Sequence, residues 1–281
     1  MKRILACVDG SNYMATCCQY AAWLAQLSGA SLEVVYVTDL RQFEVPFIAD
    51  LSGSLGLQPY QAVMGQLQEL EKQKADIILN QCEKVLREFG HKGDVAKTHK
   101  TGFLVDSLKE LESNADLIVI GKRGENANFA TEHLGSTMER VVRSATKPCF
   151  VSSRSFTSVR KILFAYQDVP SCHEAITFIK RQAWLRSFEL HLITVSPNQE
   201  EEEALRSINK VESDLRNASF DVSCQMLHGI PSQTIAEYCK SSDIDLLIMG
   251  AYGHSRIRHL FIGSATTEML RDCRLPTLLF R

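Results

Sequence analysis

The chain has 281 residues, of which 45% are hydrophobic and 23% are charged, and its formal net charge is −2. These proportions are ordinary for a soluble globular protein, and the small net charge argues against a protein whose main task is to grip nucleic acid or an anionic membrane. The N-terminal apolar run is too short for a signal peptide, and no later run approaches the ~18 residues of a spanning helix, so we expect a cytoplasmic location.

Strands and helices alternate along the first half of the chain. Apolar, β-rich runs predict strands at 3–8, 31–37, 93–99, 117–120 and 148–153. Intervening amphipathic stretches predict helices at 12–28, 61–89, 103–113 and 135–145. An uninterrupted apolar run such as LIVI at 117–120 is typical of a strand buried on both faces. Together these elements predict a parallel, doubly wound α/β sheet.

The second half shows the same order of elements. Strands are predicted at 160–166, 189–195, 220–227, 246–249 and 276–280, and helices at 171–187, 199–217, 231–241 and 263–273. In such a sheet a ligand binds beyond the carboxyl ends of the strands, where the winding reverses. The residues that follow the first, second and fourth strands are therefore the candidates for a binding site.

The two halves also match each other in sequence. KRILACV at 2–8 matches RKILFAY at 160–166 at an offset of 158, whereas ADLIVIGKRG at 115–124 matches IDLLIMGAYG at 244–253 at an offset of 129. The fall in offset means that the first copy holds roughly thirty extra residues, which we place in a Gly-, Ser- and Pro-rich insertion at about 40–72. The repeat predicts two related domains, 1–154 and 158–281.

A glycine-rich loop follows the fourth strand of the second copy. Gly250 and Gly253 let the backbone turn sharply and approach a ligand, and nine residues separate Gly253 from the pair Gly263 and Ser264. Since Gly263 and Ser264 open a predicted helix, its free N–H groups favour an anion such as a phosphate. In the alternative interpretation the glycines only form turns and Ser264 only caps the helix.

The companion loop in the first copy has a different length. Gly121 and Gly124 keep their spacing, but ten residues separate Gly124 from Gly135 and Ser136. One added residue displaces backbone N–H groups by up to a few ångströms, since successive Cα atoms lie about 3.8 Å apart. We therefore expect this loop to bind a ligand in altered geometry or to bind none.

These motifs resemble the universal stress protein family. The G-x2-G-x9-G-[ST] loop of its ATP-binding members is matched by the second loop, and the opening KRILACVDGS and the strands KPCFVSS and LPTLLF are also similar. The resemblance covers nearly the whole chain, once per copy. It implies two tandem, five-stranded parallel domains of the Rossmann-like, adenine nucleotide alpha hydrolase-like kind. It also implies that the domains pair through their last strands within the chain, and a homodimer is a further expectation.

The resemblance further implies a pocket for ATP or AMP, with or without Mg²⁺. An Asp after the first strand and a Val at the end of the second would contact the base or ribose, and the glycine loop would hold ribose and phosphates. The first copy retains the Asp but has the longer loop, whereas the second keeps the loop spacing and has Gln instead. We therefore predict a main nucleotide site from Gly250, Gly253, Gly263, Ser264, Ala265, Val195 and Gln167. A weaker site is predicted from Asp9, Val37, Gly121, Gly124, Gly135 and Ser136.

The sequence shows no catalytic set of residues and no metal-ligand spacing, although Asp168 is the acid nearest to the second pocket. We expect a nucleotide-binding stress-response module with at most slow ATP hydrolysis. Two alternatives stay open: a stress protein that binds no nucleotide and acts through structure or partners, and a weak ATPase. Nine scattered cysteines form no CxxC pair and are expected to be core residues in a reducing compartment.

Overall fold

The computed structural model describes residues 1–39, 59–124, 136–196, 201–251, 269–270 and 273–281. Its first half contains, in chain order, β1 (Arg3–Val8), α1 (Met14–Ser28), β2 (Ser31–Asp39), α2 (Pro59–Glu88), β3 (Val95–Gly102), α3 (Leu104–Glu112), β4 (Leu117–Gly121), α4 (Ser136–Ser144) and β5 (Cys149–Ser152). The helix α1 ends because Gly29 adopts a left-handed conformation (φ 69°) and donates its N–H to the Ala25 carbonyl at 2.9 Å. The predicted insertion at 40–72 lies mostly outside the described residues.

The second half contains β6 (Lys161–Ala165), α5 (Pro170–Arg181), β7 (Glu189–Ser196), α6 (Glu201–Asn217), β8 (Val222–His228), α7 (Pro231–Ser241), β9 (Leu246–Gly250) and β10 (Thr277–Phe280). Both α5 and α7 have proline in their first turn, where the missing N–H costs no helical hydrogen bond. Most of the helix predicted at 263–273 lies outside the described residues.

The prediction of a single helix at 171–187 is wrong in one respect. The α-helix ends at Arg181, Gln182 has extended dihedrals (φ −98°, ψ 93°), and a 3₁₀ helix follows at Ala183–Ser187. The side chain of Gln182 accepts hydrogen bonds from the Trp184 indole at 3.2 Å and from the N-terminal amino group at 3.4 Å. One contact is local and the other reaches the start of the chain, and together they favour a break that helical periodicity does not reveal.

The ten strands found among the described residues form one sheet, in the order β3-β2-β1-β4-β5-β10-β9-β6-β7-β8. Neighbouring strands are parallel within each half, which confirms the predicted α/β architecture. At the centre, β5 and β10 pair antiparallel, with Leu278 opposite Phe150. Because the direction changes there, the carboxyl ends of the strands of the two halves lie at opposite edges of the sheet.

Helices cover both faces of the sheet. One apolar cluster joins the α1, α2, α5 and α6 side of both halves and includes the fully buried Phe150 and Phe164. A second joins the α3, α4 and α7 side and includes Val141 and Ile235. Alternate residues of β1 belong to different clusters, as the two-residue period of a strand requires. Burying a phenylalanine of this kind contributes about 1.5–3 kcal/mol to stability.

The amino ends of β1 and β6, the first strand of each half, are held by equivalent carboxylates. Asp116 accepts hydrogen bonds from the backbone N–H groups of Lys2 at 2.5 Å and Arg3 at 3.0 Å. Asp245 does the same for Arg160 and Lys161, at 2.8 and 3.0 Å. The duplication therefore extends to individual hydrogen bonds.

Aromatic residues join the halves on the α1 face. The ring of Trp23 lies 6.2 Å from that of Trp184 and 6.0 Å from that of Phe188, both in edge-on geometry. Nearby, the Tyr20 hydroxyl lies 3.0 Å from the Ser153 hydroxyl and 3.3 Å from that of Thr157, which holds the segment between the halves. No described helix combines the length and apolarity needed to cross a bilayer.

Candidate functional site

The sheet order reverses between β1 and β4 in the first half. These strands are parallel neighbours, with Cys7 opposite Ile120, so Asp9 and Gly121 emerge side by side at their carboxyl ends. The register of β1 with β2 pairs Val8 with Tyr36, and its continuation places Asp9 next to Val37. The structure thus brings together three of the residues predicted from sequence at the crevice where α/β folds bind ligands.

Close contacts with side chains explain the two glycines at the end of β4 and just after it. A Cβ atom on Gly124 would lie 2.8 Å from Asp9 Oδ2, and one on Gly121 would lie 2.9 Å from Tyr13 Cβ. The other oxygen of Asp9 accepts the Ser11 N–H at 3.1 Å. In the crevice of the first half, the carboxylate of Asp9 is therefore in close contact with the backbone of Gly124. Of the remaining predicted residues, Gly135 lies outside the described part of the chain, and Ser136 begins α4 but its side chain is not described.

The equivalent crevice in the second half lies between β6 and β9. Ala165 is opposite Met249, so the chain leaves β6 next to Gly250, the last residue of β9. Ala165 is also opposite Ile193 on β7, and continuation of that register places Gln167 beside Val195. Gln167 is exposed and Val195 is half-buried. The structure thus brings together Gln167, Val195 and Gly250, while Gly253, Gly263, Ser264 and Ala265 lie outside the described residues.

Gly250 packs against the first turn of α5. A Cβ atom at this position would overlap Ser171 Oγ and lie 3.2 Å from Cys172 Sγ. Ser171 is 3% exposed, and its hydroxyl finds no hydrogen-bond partner in the described part of the structure. The bare backbone of Gly250 is therefore what lets the carboxyl end of β9 approach the start of α5.

A hydrogen-bonded network that sequence analysis missed lies beside Gln167. The Tyr166 hydroxyl donates to Ser207 Oγ at 2.8 Å, and Ser207 donates to Asp168 Oδ2 at 3.1 Å. The other oxygen of Asp168 lies 2.6 Å from His173 Nε2. The network ties the end of β6 to α5 and α6. No sequence signal identifies it, because Ser207 is 39 residues from Asp168.

The pKa values of the two ionisable residues on either side of Gln167 are shifted. Burial raises the pKa of Asp168, but the hydrogen bonds from His173 and Ser207 outweigh it and leave the pKa below its ordinary value. Burial also raises the pKa of Tyr166, which keeps the phenol protonated. Both oxygens of Asp168 are thus engaged by protein donors, and no group of three His, Cys, Asp or Glu side chains suited to a metal occurs among the described residues.

Comparisons with known proteins agree with this architecture. A family model described as the universal stress protein family matches residues 1–153 and again 158–281. A universal stress protein of Synechocystis is 41% identical over 288 residues, which cover 100% of both chains. A solved universal stress protein from Archaeoglobus fulgidus has the same fold, with a TM-score of 0.73 and 20% identity over 99% of this chain and 97% of that one. A universal stress protein solved in complex with cAMP matches with a TM-score of 0.37 and 18% identity, over 44% of this chain and 98% of its own. That likeness is too weak to bear on the ligand of this chain.

Proposed function

Since the chain belongs to the universal stress protein family over both of its halves, we propose that it binds ATP or AMP, mainly in its C-terminal domain, and acts as a nucleotide-binding module. The observation that carries the proposal is the juxtaposition of Gly250, Gln167 and Val195 at the carboxyl ends of β9, β6 and β7. That is where the strand order reverses, which is the position of ligand sites in doubly wound sheets.

Each of these groups suits one part of an adenine nucleotide. The exposed amide of Gln167 can both donate and accept hydrogen bonds with a base or a ribose hydroxyl. The backbone at Val195 can bond the adenine edge. Because Gly250 has no side chain, the loop that it begins can approach the crevice closely. The phosphates would then meet the backbone N–H groups of Gly263, Ser264 and Ala265 at the predicted helix start.

The first domain is proposed as the weaker site. Its loop carries one more residue between Gly124 and Gly135, and the carboxylate of Asp9 packs directly against Gly124. The added residue shifts the backbone N–H groups that would hold the phosphates by up to a few ångströms, since successive Cα atoms lie about 3.8 Å apart. The second domain has Gln167 at the position of Asp9, and its loop keeps the nine-residue spacing.

We also propose that 1–154 and 158–281 are the two domains and that they associate within the chain through β5 and β10. The mirrored strand order on either side of this antiparallel pair supports the proposal.

None of the nine cysteines, all within the described residues, forms a disulfide, which fits the reducing cytoplasm. Any Mg²⁺ at the nucleotide site of the C-terminal domain would be carried there by the phosphates of the bound nucleotide.

Titration calorimetry with ATP and with AMP tests the nucleotide proposal. We expect the wild-type protein to bind, Gly263→Asp to abolish most of the binding by placing a charge at the phosphates, and Gly135→Asp, the matched change in the first loop, to retain it. Circular dichroism would establish that both variants are folded. Absence of binding by the wild-type protein, or equal binding by the two variants, would contradict the proposal.

A further inference from the structure

The sheet ends in two outer strands, β3 and β8, and each has one neighbour among the described strands. An outer strand presents unpaired backbone N–H and C=O groups, which are a template for pairing with another chain. Natural proteins protect such edges with charged residues, lysine above all. The two outer strands can therefore be compared for this protection.

The strand β3 carries charged side chains, whereas the strand β8 carries none. Lys97 and Lys100 of β3 form ion pairs with Glu83 at 2.9 Å and Glu110 at 2.8 Å. In contrast, Val222–His228, with the sequence VSCQMLH, contains no Lys, Arg, Asp or Glu. Gln225, at its middle, is exposed, and Cys224 and Met226 on either side are half-buried. The strand β8 itself thus carries no Lys, Arg, Asp or Glu, and the charged side chains that reach it, Arg216 and Glu212 of α6, form an ion pair with each other at 2.8 Å.

The backbone groups that β8 directs outward can be assigned. Leu190 of β7 is opposite Val222 and donates its N–H to the Asp221 carbonyl at 3.3 Å. In a parallel ladder this pattern turns Asp221 and Ser223 towards β7 and turns Val222, Cys224 and Met226 away from it. Arg216 agrees with the assignment, because its guanidinium reaches the outward Val222 carbonyl at 2.6 Å.

These positions define a self-complementary pairing. If two β8 strands meet antiparallel about Gln225, Cys224 of each copy lies opposite Met226 of the other, and both residues direct N–H and C=O groups outward. The two Gln225 side chains then face each other as a non-hydrogen-bonded pair, within reach of an amide–amide hydrogen bond. Arg216 covers Val222, so the ladder stops at that residue.

A second copy of this chain is the occupant that fits this edge. The last strands, β5 and β10, already pair with each other inside the chain and leave no such edge for another copy. The uncharged β8 offers no charge complementarity to an acidic or basic peptide, whereas its pairing with itself opposes no like charges. We propose that two copies associate antiparallel through β8, about a twofold axis at Gln225, and join their sheets edge to edge. This proposal does not depend on nucleotide binding.

Sedimentation equilibrium of the full chain tests the interface. We expect a mass of two 31.5 kDa chains at concentrations on the order of 100 μM. Gln225→Lys places like charges opposite each other and should give the mass of one chain. The matched control Ser223→Lys changes an exposed residue of the same strand that lies away from the axis, and should retain the dimer. A wild-type monomer at that concentration, or a dimer that survives Gln225→Lys, would overturn the proposal.

A cysteine cross-link gives a second, independent measurement. Non-hydrogen-bonded pairs bring Cα atoms to about 4.5 Å, which suits a disulfide. Under copper-phenanthroline and dioxygen, which accept the two electrons and two protons released by the thiols, Gln225→Cys should give a covalent dimer on a non-reducing gel. Ser223→Cys should stay monomeric, because its partner in this register is Leu227. Equal cross-linking of the two variants would count against the register and the proposal.

Discussion

The backbone of Gly250 lies directly against the buried hydroxyl of Ser171, so that the end of β9 touches the first turn of α5 without an intervening side chain. The equivalent contact in the first half joins Gly121 to Tyr13. Both contacts lie at the reversal of strand order. A glycine that sequence analysis assigns to a ligand loop therefore also has a packing role, and the two roles can be separated by mutation.

Gly250→Ala should destabilise the protein by about 1–3 kcal/mol, because its methyl group overlaps Ser171 Oγ in a closely packed place. Urea unfolding followed by circular dichroism would measure the change. The control is Gly65→Ala in α2, where a methyl group meets nothing within 4 Å and should stabilise the helix by roughly 0.5–1 kcal/mol. Equal effects of the two changes would show that Gly250 is not sterically constrained.

Combination with Ser171→Ala sharpens that experiment. Alone, Ser171→Ala removes a buried hydroxyl that has no partner among the described residues, and should be neutral or slightly stabilising. In Gly250→Ala the same change removes the overlapping atom, so the double variant should recover part of the lost stability. Strict additivity of the two free-energy changes would rule out the contact as the cause.

The carboxylate of Asp116 should contribute stability that is lost in acid. Burial raises its pKa, but hydrogen bonds from the N–H groups of Lys2 and Arg3 outweigh it and hold the pKa below its ordinary value. Since the folded pKa is depressed, the contribution is present above the unfolded pKa of about 3.9 and is lost as the pH falls through the folded pKa. Unfolding free energies of the wild type and Asp116→Asn should therefore converge below about pH 4. Free energies of unfolding that stay apart in acid would contradict this assignment.

The aromatic contact between the halves should contribute measurably to stability. Trp23→Ala removes a half-buried ring that meets both Trp184 and Phe188, and should cost about 2 kcal/mol in urea unfolding. Phe103→Ala, at a ring that is 45% exposed, should change stability by less than about 0.5 kcal/mol. A double-mutant cycle between Trp23 and Phe188 should give a coupling of about 0.5–1.5 kcal/mol. Zero coupling would mean that the rings do not interact in solution.

Cys224 should be the first thiol to react in the folded monomer, at concentrations well below those at which the proposed β8 dimer forms. Eight of the nine cysteines are buried, and Cys224 is half-buried. Burial, with help from Glu212, raises the pKa of Cys224 to about 11, and burial raises that of Cys7 to about 12. Because the thiolate reacts, labelling by a disulfide reagent should be slow and should accelerate about tenfold per pH unit between pH 7 and 9. Cys224→Ser should lack the first labelling phase; its persistence would place that phase at another thiol.

Much of the fold follows from local patterns. Buried runs such as LIVI at 117–120, and their spacing from amphipathic stretches, predict both the strands and the parallel sheet, because each apolar run must be covered by helices on both faces. The break at Gln182 could not be predicted, since it depends on contacts with the chain's first residue. The Tyr166–Ser207–Asp168 network is similarly hidden, because Ser207 on α6 meets the two residues just after β6 only in the folded state.

The sequence predicted which strand ends would meet at the candidate site. Asp9 and Gly121, and likewise Gln167 and Gly250, emerge together because β1 and β4, and β6 and β9, are neighbours. The identity of the atoms against each glycine was not predictable, since Ser171 and Tyr13 occupy equivalent places with side chains of different size. The spacing of residues along the sequence predicts where the strand ends meet, whereas the packing of the folded chain determines which substitutions each glycine tolerates.

The antiparallel junction of β5 and β10 has an evolutionary consequence. It gives one chain the symmetry of an assembly of two subunits. Because both halves belong to the same chain, every molecule contains one copy of each. A protein built from two identical subunits cannot change one crevice without changing the other. In this chain each crevice is encoded separately, so one can carry Asp9 while the other carries Gln167. Covalent linkage thus lets the two crevices differ in their residues within a single molecule.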